Sequence, residues 1–385
     1  MTSRHGLSRK AFIAGTGATL ILAGGGMLWR AEGGIFTAEE GPAYELWKQP
    51  WPEKPAANDL IGIVSAATLA ANPHNSQPWL FKMEKDRIQL FADRSRKLKA
   101  IDPDERELML GLGCALENLS LAAQARGYKV DITLLPQGPE NDLVTTILLQ
   151  SAEPSPSPLY NMIPKRRTNR SKFSGKPIPE KDLAGLSQLG QADPALRLHL
   201  YVKEIERRPV GDLLVRACEI QAGDRAQHAE TASWFRKNDE EILKHKDGIT
   251  IDAGGSPYLM RIIAKLVISD KMIHGPSFGK VFVKNTKMQV ESASAFGIIS
   301  AETKTHEACL RAGRLFQRIH LWATSRGITL QPMNYFLENR PDMKDDVAAL
   351  IGSSDRAALI PFRLGYGPDV PHSPRRGGVK DVVMA

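Results

Sequence analysis

Residues 107–127, ELMLGLGCALENLSLAAQARG, and residues 307–327, EACLRAGRLFQRIHLWATSRG, read as one helix written twice, 200 positions apart. Glu107/Glu307, Leu110/Leu310, Gly113/Gly313, Leu121/Leu321, Ala123/Ala323, Arg126/Arg326 and Gly127/Gly327 match without a gap, seven identities in twenty-one positions. Two amphipathic helices resemble each other by chance, because each repeats apolar residues every three or four positions. Amphipathicity does not require a glycine inside each helix and another at its end, so the matched glycines favour a true repeat. In the first copy Leu108, Leu112, Leu116, Leu119 and Ala123 share one face, and Gly127 can close the helix in the left-handed conformation. Ahead of it, Asp102, Pro103 and Glu105 predict a capping box, with Asp as cap, Pro first and Glu third.

Upstream, Leu60, Ile61, Val64, Ala67, Thr68 and Ala71 recur at helical spacing until Asn72 and Pro73 stop the pattern. A strand is predicted at residues 79–91, and two more at 130–134 and 144–149. Each copy then has the order helix, strand, long capped helix, strand. Two repeats are too few for a solenoid. They predict an α+β protein made of two fused, degenerate half-copies packed through their long helices, at residues 58–150 and 159–385. The second half contains about a hundred residues, roughly 207–305, with no counterpart in the first. Helical patterns at 210–220, 232–243 and 258–267, broken at Asp247-Gly248 and at Gly254-Gly255-Ser256-Pro257, suggest an inserted helical lid.

A chain of 385 residues can bury a core without staples. Cys114, Cys218 and Cys309 are widely spaced, lack any CxxC or Cys/His ligand pattern, and read as buried free thiols; no metal site is expected. The formal charge is +8, yet Arg4, Arg9, Lys10 and Arg30 fall in a first stretch of thirty residues without Asp or Glu, and the remainder carries +4. No like-charge run or basic and aromatic stripe follows, so nucleic acid is not the expected partner. Residues 1–10 are basic and residues 11–29, AFIAGTGATLILAGGGMLW, are apolar, which is the layout of an export signal at 1–30. Ser8, Arg9, Lys10, Phe12 and Ile13 are similar to the twin-arginine consensus, with Lys10 in place of the second arginine. That route carries folded proteins and implies an exported protein of the periplasm or cell envelope. Left uncleaved, residues 11–29 could attach the chain to a membrane. Residues 31–57, with Gly33, Gly34, Pro42, Pro50, Pro52 and Pro55, read as a linker.

Three motifs bear chemistry. Residues 72–79, NPHNSQPW, offer short amides at a helix end that can bond the edge of a planar heterocycle, with Trp79 packed beneath; an Asx-rich helix stop fits as well. His74 within it reads as a helix-end hydrogen-bonder. In residues 165–173, KRRTNRSKF, Arg166, Thr168 and Arg170 alternate, so on extended backbone they face one side and can grip a phosphate. A solvated basic turn is the bland alternative. Arg375 and Arg376 follow residues 360–367, IPFRLGYG, and by themselves would be surface charge.

Together the three motifs resemble the nitroreductase superfamily, most closely its Acg-like branch of fused FMN-binding proteins, over roughly residues 58–383. HNSQPW is similar to the family's N-x-Q-P-W turn, RRTNRSKF to its R-x-S-x-R/K segment, and RLGYGPDVPHSPRRGGVKDVV to the branch's carboxy-terminal pattern. The resemblance implies that Arg166, Thr168, Arg170, Arg375 and Arg376 hold the flavin phosphate and pyrimidine edge. It gives Gln331, Pro332, Met333 and Asn334 the backbone groups near flavin N5. Asn72, Pro73 and Asn75 then reach in from the other half, as the partner subunit's turn does in the family. The first half has the turn without the phosphate segment, and the second has the segment without the turn. One FMN per chain, in a monomer that mimics the usual dimer, is therefore expected.

In such a site the flavin carries the chemistry, taking hydride from NAD(P)H and passing it to a small-molecule acceptor such as a nitro group or quinone, and no catalytic side chain is required. A lid that seals the cofactor would instead give an FMN-binding or sequestering protein with little reductase activity. A weaker third reading is a surface interaction module without flavin.

Overall fold

The computed structural model describes residues 38–376 and 378–384, apart from 53–54 and 57–58; the export-signal reading of residues 1–30 lies outside them. The first half opens with α1 (Leu60–Thr68), capped by Asp59, whose carboxylate accepts the Gly62 N–H at 2.8 Å. The single strand expected at 79–91 is a hairpin, β1 (Trp79–Glu84) and β2 (Arg87–Ala92), because Lys85 and Asp86 make a polar turn between two alternating apolar runs. The long helix α2 begins at Arg106, later than the capping box predicts. Glu105 is left-handed (φ 58°), and Asp102 caps from further back, accepting the N–H groups of Glu107 at 3.0 Å and Leu108 at 2.9 Å. Helix α2 (Arg106–Ala125) leads to β3 (Tyr128–Leu134) and β4 (Leu143–Ser151), and the antiparallel sheet has the order β1-β2-β4-β3.

The second half repeats this plan. Helix α3 (Glu180–Leu189) and strand β5 (Leu196–Tyr201) are followed by α4 (Glu204–Gly223), α5 (Arg225–Ser233), α6 (Asp239–His245), α7 (Tyr258–Val267) and α8 (Pro276–Glu291). Then come β6 (Ala295–Ala301), the long helix α9 (His306–Ser325), β7 (Thr329–Pro332) and β8 (Ala357–Gly365). The order β5-β6-β8-β7 matches the first sheet position for position. The connection without a counterpart therefore runs from 202 to 294. The interval 207–305 takes in β6, a wholly buried strand paired on both edges, whose unbroken apolar run AFGIISA does not alternate as a one-sided strand would. Helix α4 contributes Val210, Leu214 and Ala217 to a second core beside Phe296 and Phe336. The helix expected at 232–243 is two, since Asn238 caps a new start at Asp239.

The halves meet where α2 crosses α9. A Cβ on Gly113 would lie 3.0 Å from Gly313 Cα and closer still to Leu310 O, and a Cβ on Gly313 would meet Gly113 Cα and Leu110 O in the same way. The matched glycines are thus the contact point of a pseudo-twofold crossing. Gly127 (φ 81°) and Gly327 (φ 66°) end the two helices as expected. All three cysteines are buried and free. Among the described residues, α2 is the one helix long and apolar enough to cross a membrane, and it is the core of this crossing.

The described part of the segment read as a linker is built into the fold. Around residues 42–48 the chain turns helically and holds the carboxy-terminal tail: Arg375 N donates to Ala43 O at 2.7 Å, Trp47 Nε1 donates to Ser373 O at 2.9 Å, and Trp47 stacks on His372. The tail then pairs with β1 through Phe81 N to Val382 O at 2.8 Å and Met384 N to Phe81 O at 2.7 Å.

Candidate functional site

The turn after α1 is strained, and it is clamped from several sides. His74, Asn75 and Gln77 all have positive φ (47°, 55° and 53°), which costs non-glycine residues about 1–3 kcal/mol each. Asn72 Oδ1 accepts the Gln77 N–H at 2.8 Å, Asn75 Nδ2 donates to Pro374 O at 2.8 Å, and Gln77 Nε2 donates to Lys246 O at 2.9 Å. Gly111 of α2 lets the turn come close, since a Cβ there would lie 3.0 Å from Pro73 Cδ. The amides of Asn72 and Asn75 thus hold the turn together, and need not reach a heterocycle to have a role.

Against this turn lies a polar chamber lined by Arg166, Arg167, Thr168, Arg170 and Arg375 with Asn72, Asn75 and His372; no carboxylate lines it among the described residues. Arg166 is buried and donates from Nη2 to Leu69 O at 3.2 Å, while its Nε and Nη1 have no partner among the described residues. Arg375, buried over the Trp47 ring at 4.8 Å, bonds Asn75 Oδ1 and Ala70 O, and its Nε has no partner among the described residues. Arg170 reaches Ala253 O at 3.4 Å. Burial pushes the Arg166 guanidinium down to about 10, with Arg167 and Arg170 adding to it, and Arg375 falls well below its ordinary value through burial and the charge of Arg166. A buried N–H left unsatisfied costs about 1–3 kcal/mol, more when charged. An anion with several oxygens would satisfy these donors and offset the repulsion among the cations.

Arg170, Thr168, Asn72 and Ala71 also line a larger cavity of about 370 Å³, so the chamber and cavity form one site with a polar and an apolar end. Gln331, Pro332 and Asn334 line the cavity where β7 ends, and Asn334 Oδ1 is buried without a partner among the described residues. Thr168 is held there by a bridge to Leu330. The size and shape suit a planar aromatic group with a phosphate tail. The residues present therefore fit FMN: orphaned guanidinium donors for the phosphate, an orphaned amide oxygen and an apolar slot for the ring.

The structure brings together Asn72, Pro73, Asn75, Arg166, Thr168, Arg170, Gln331, Pro332, Asn334 and Arg375. Two expected residues stay outside. Met333 is buried in the second core and its N–H donates to Pro361 O at 2.9 Å, the β8 ladder having claimed it. Arg376 points the other way, bonding Gln77 O, Trp79 O and Asp381 O and pairing with Asp93 at 3.5 Å. Adjacent residues on extended backbone face opposite sides, so only one of the two arginines can enter the chamber. His74 faces the cavity, and burial with the charge of Arg170 pushes its imidazole down to about 4, so it is neutral.

The residues missed in the sequence come from distant segments. Glu107 of α2 and Glu338 are hydrogen-bonded to each other in the cavity wall, beside Arg106, which pairs with Glu107 at 2.7 Å, and Gln221, which bonds Glu338. Burial raises both carboxyls, and the charge of Glu107 raises Glu338 further while the hydrogen bond from Glu338 lowers Glu107, so the pair retains a proton, held on the Glu338 side of the bond. Arg363, at the centre of IPFRLGYG, is a keystone: its guanidinium lies 3.7 Å from the Phe173 ring and bonds Asn169 O, Ser171 O, Gln289 O and Gln331 Oε1, which fixes the arginine segment against β7. Phe235, Ile249, Ile251, Phe278 and Phe282 come from the 202–294 connection to close the cavity.

No protein-family model matches the chain. The Mycobacterium tuberculosis protein acg, named by inference as an NAD(P)H nitroreductase, is 28% identical over 343 residues, 84% of this chain and 96% of its own. A Serratia protein, PigM, named in the same way, is 22% identical over 298 residues, 73% of this chain and 81% of its own. Among solved structures, the FMN-dependent nitroreductase NfnB of Mycobacterium smegmatis in complex with NADPH is 18% identical, covering 54% of this chain and 87% of that one with a TM-score of 0.35. A Bacteroides fragilis nitroreductase with bound FMN is 17% identical, covering 55% and 89% with a TM-score of 0.33. The likeness to the nitroreductase superfamily extends through both halves of the chain.

Proposed function

We propose that this chain is an FMN-dependent oxidoreductase of the nitroreductase type, with one flavin per chain and NAD(P)H as reductant. The observation that carries it is the set of guanidinium donors without a partner among the described residues at the polar end of an apolar cavity. Arg166 and Arg375 would hold the phosphate with Arg170 and Thr168 beside them, the strained turn at Asn72 and Pro73 would form one wall of the ring slot, and Gln331, Pro332 and Asn334 the other. Bound there, FMN would supply hydride transfer from NAD(P)H to a nitro group, quinone or similar acceptor. Arg170 places positive charge between chamber and cavity, where negative charge on the reduced ring would gather. The Glu107 and Glu338 pair holds a proton within the cavity wall. The apolar cover excludes water. We further propose a monomer, exported to the periplasm or cell envelope.

A second reading, an FMN-sequestering protein, is favoured by how firmly the cover is tied down. Asp247 pairs with Arg236 at 2.6 Å and with Arg96, and Gly248 N donates to Asn75 O at 3.2 Å, fastening the cover to the first half. Purified protein tests both. Yellow protein bleached by NADH or NADPH without oxygen supports the reductase; yellow protein that stays yellow supports sequestration; protein colourless after added FMN refutes both.

A further inference from the structure

The cover over the cavity turns an apolar face outward as well as inward. Helix α7 has no buried residue, and Tyr258, Leu259, Met260, Ile263 and Val267 are exposed, Leu259 at 66%. The helix's basic side chains face inward instead: Arg261 and Lys265 pair with the buried Asp252 at 3.5 and 2.7 Å. A surface helix of a globular protein normally does the reverse. The patch continues over Met272 (45% exposed) and Val281 (56%), and these two also line the cavity. The apolar surface therefore rims the place where the cavity reaches the outside. Lys271, Lys280 and Lys284 are exposed beside it.

We propose that this face, α7 with Met272 and Val281, docks on an anionic lipid bilayer and opens the cavity mouth to the lipid phase. An apolar helical face flanked by lysines has the composition of an interfacial helix, with the lysines at the level of anionic headgroups. A second copy of the chain would bring its own lysines against these, so like charges would oppose that pairing. The apolar stretch at residues 11–29 gives the chain a further means of staying at a membrane. One consequence rests on the reductase reading above: the acceptor is a lipid-soluble quinone, which takes two electrons and two protons to become a quinol, with NAD(P)H as the electron source.

The test uses the full chain with Ile263→Cys carrying an environment-sensitive fluorophore, which labels selectively because the native thiols are buried. With phosphatidylglycerol vesicles, lipid-borne nitroxide should quench the label severalfold, and Leu259→Glu with Val267→Glu should abolish that quenching even where residues 11–29 keep the protein on the vesicle. A label that remains open to an aqueous quencher on vesicle-bound protein overturns the proposal. So does a label shielded without vesicles: concentration-dependent shielding means a second copy covers the face, and concentration-independent shielding means the chain's own segment does. Flavin reoxidation by a long-chain quinone in the same vesicles should fall at least about tenfold in the double variant, while reoxidation by a short water-soluble quinone should not change. If only the soluble quinone is reduced by the parent protein, lipid-phase delivery is wrong. If neither is reduced, the reductase reading has failed, and the quenching result still decides the docking.

Discussion

The first two strands of each half are joined in very different ways. In the first half Lys85 and Asp86 suffice to turn β1 into β2; in the second, residues 202–294 leave β5, build a mostly helical cover and return as β6. The sheets are otherwise ordered alike, and the long helices cross at matched glycines. A duplicated fold begins with two equivalent sites at its interface. Here the first half has the turn at Asn72–Asn75 and the second has the arginine segment and a cover, so on the proposed reading the functions that a symmetric dimer would hold twice are divided between the halves. If the chain holds one flavin, as proposed, the placing of these accessory segments sets that number and the sheets have no part in it.

The largest effect is expected where the cover is fastened to the first half. Asp247→Ala leaves Arg236 buried without its carboxylate, a loss of about 3–5 kcal/mol for a broken buried pair. Because the contact lies in the connection that only the second half has, the loss should be local. Limited proteolysis should cut within 234–294 while the sheets stay folded, and bound FMN should exchange faster. Cooperative unfolding of the whole chain at an early temperature would show instead that the cover belongs to the core.

Next in size is the phosphate grip. Arg166→Ala and Arg375→Ala should each weaken FMN binding by roughly ten- to a hundredfold, as one charge-assisted bond is worth about 1.5–3 kcal/mol. Lysine at Arg166 should restore only part, since a point charge does not reproduce the planar fork. Arg126→Ala, at the equivalent end of α2, where the side chain bonds Tyr160 Oη at 3.2 Å, should leave affinity unchanged, and Arg376→Ala should act only through the turn it bonds. Fluorescence titration with circular dichroism as a check on folding measures this. Equal losses for Arg375 and Arg376 would mean that the chamber is wrongly assigned.

How much of this the sequence revealed depends on how local each signal was. The repeat, the left-handed ends at Gly127 and Gly327 and the polar NPHNSQPW turn are written in short stretches, and all are present, though the strain in that turn shows only in the structure. The alternation of Arg166, Thr168 and Arg170 likewise announces a shared side. Which of Arg375 and Arg376 faces inward depends on how the tail is held by Ala43 and Gln77, segments about three hundred residues away. Met333 looked available because its neighbours are, but the β8 ladder takes its N–H. Glu107 sat in the quoted helix all along; only the fold brings Glu338 to it. And β6 was hidden in the insertion because an unbroken apolar run between helices has no period to betray it.

The matched glycines offer a smaller and stricter test. Gly113→Ala and Gly313→Ala each push a methyl into the opposing helix backbone, at about 1–3 kcal/mol for overpacking. If the crossing is a pseudo-twofold, the two losses should be nearly equal in denaturant melts. The double variant should cost less than their sum, because each change already spreads the same contact. Unequal single losses would say that the halves have drifted apart at the axis as well as at the site.

The last effect appears only as a slope with pH, and it compares the repeat's first matched pair, Glu107 and Glu307. Glu307 is half-exposed and pairs with Arg311 at 3.0 Å, a contact of the surface kind worth at most about 1 kcal/mol. Glu107 is buried in the cavity wall, where burial and the charge of Asp102 raise its carboxyl from 4.5 to about 7, against the pull of Arg106 and the hydrogen bonds from Asn334 and Glu338. A carboxyl raised in the folded state binds a proton that the unfolded chain has already lost. Its contribution to stability is therefore complete below about 4.5 and lost as pH rises through about 7. One proton gives a slope of at most about 1.4 kcal/mol per pH unit. Denaturant melts between these limits should show stability falling with pH in the parent chain and in Glu307→Gln, and a flatter profile in Glu107→Gln, whose amide has no proton to lose. A slope unchanged in Glu107→Gln would mean that Glu107 is ionised throughout and that Glu338 holds the proton of the pair.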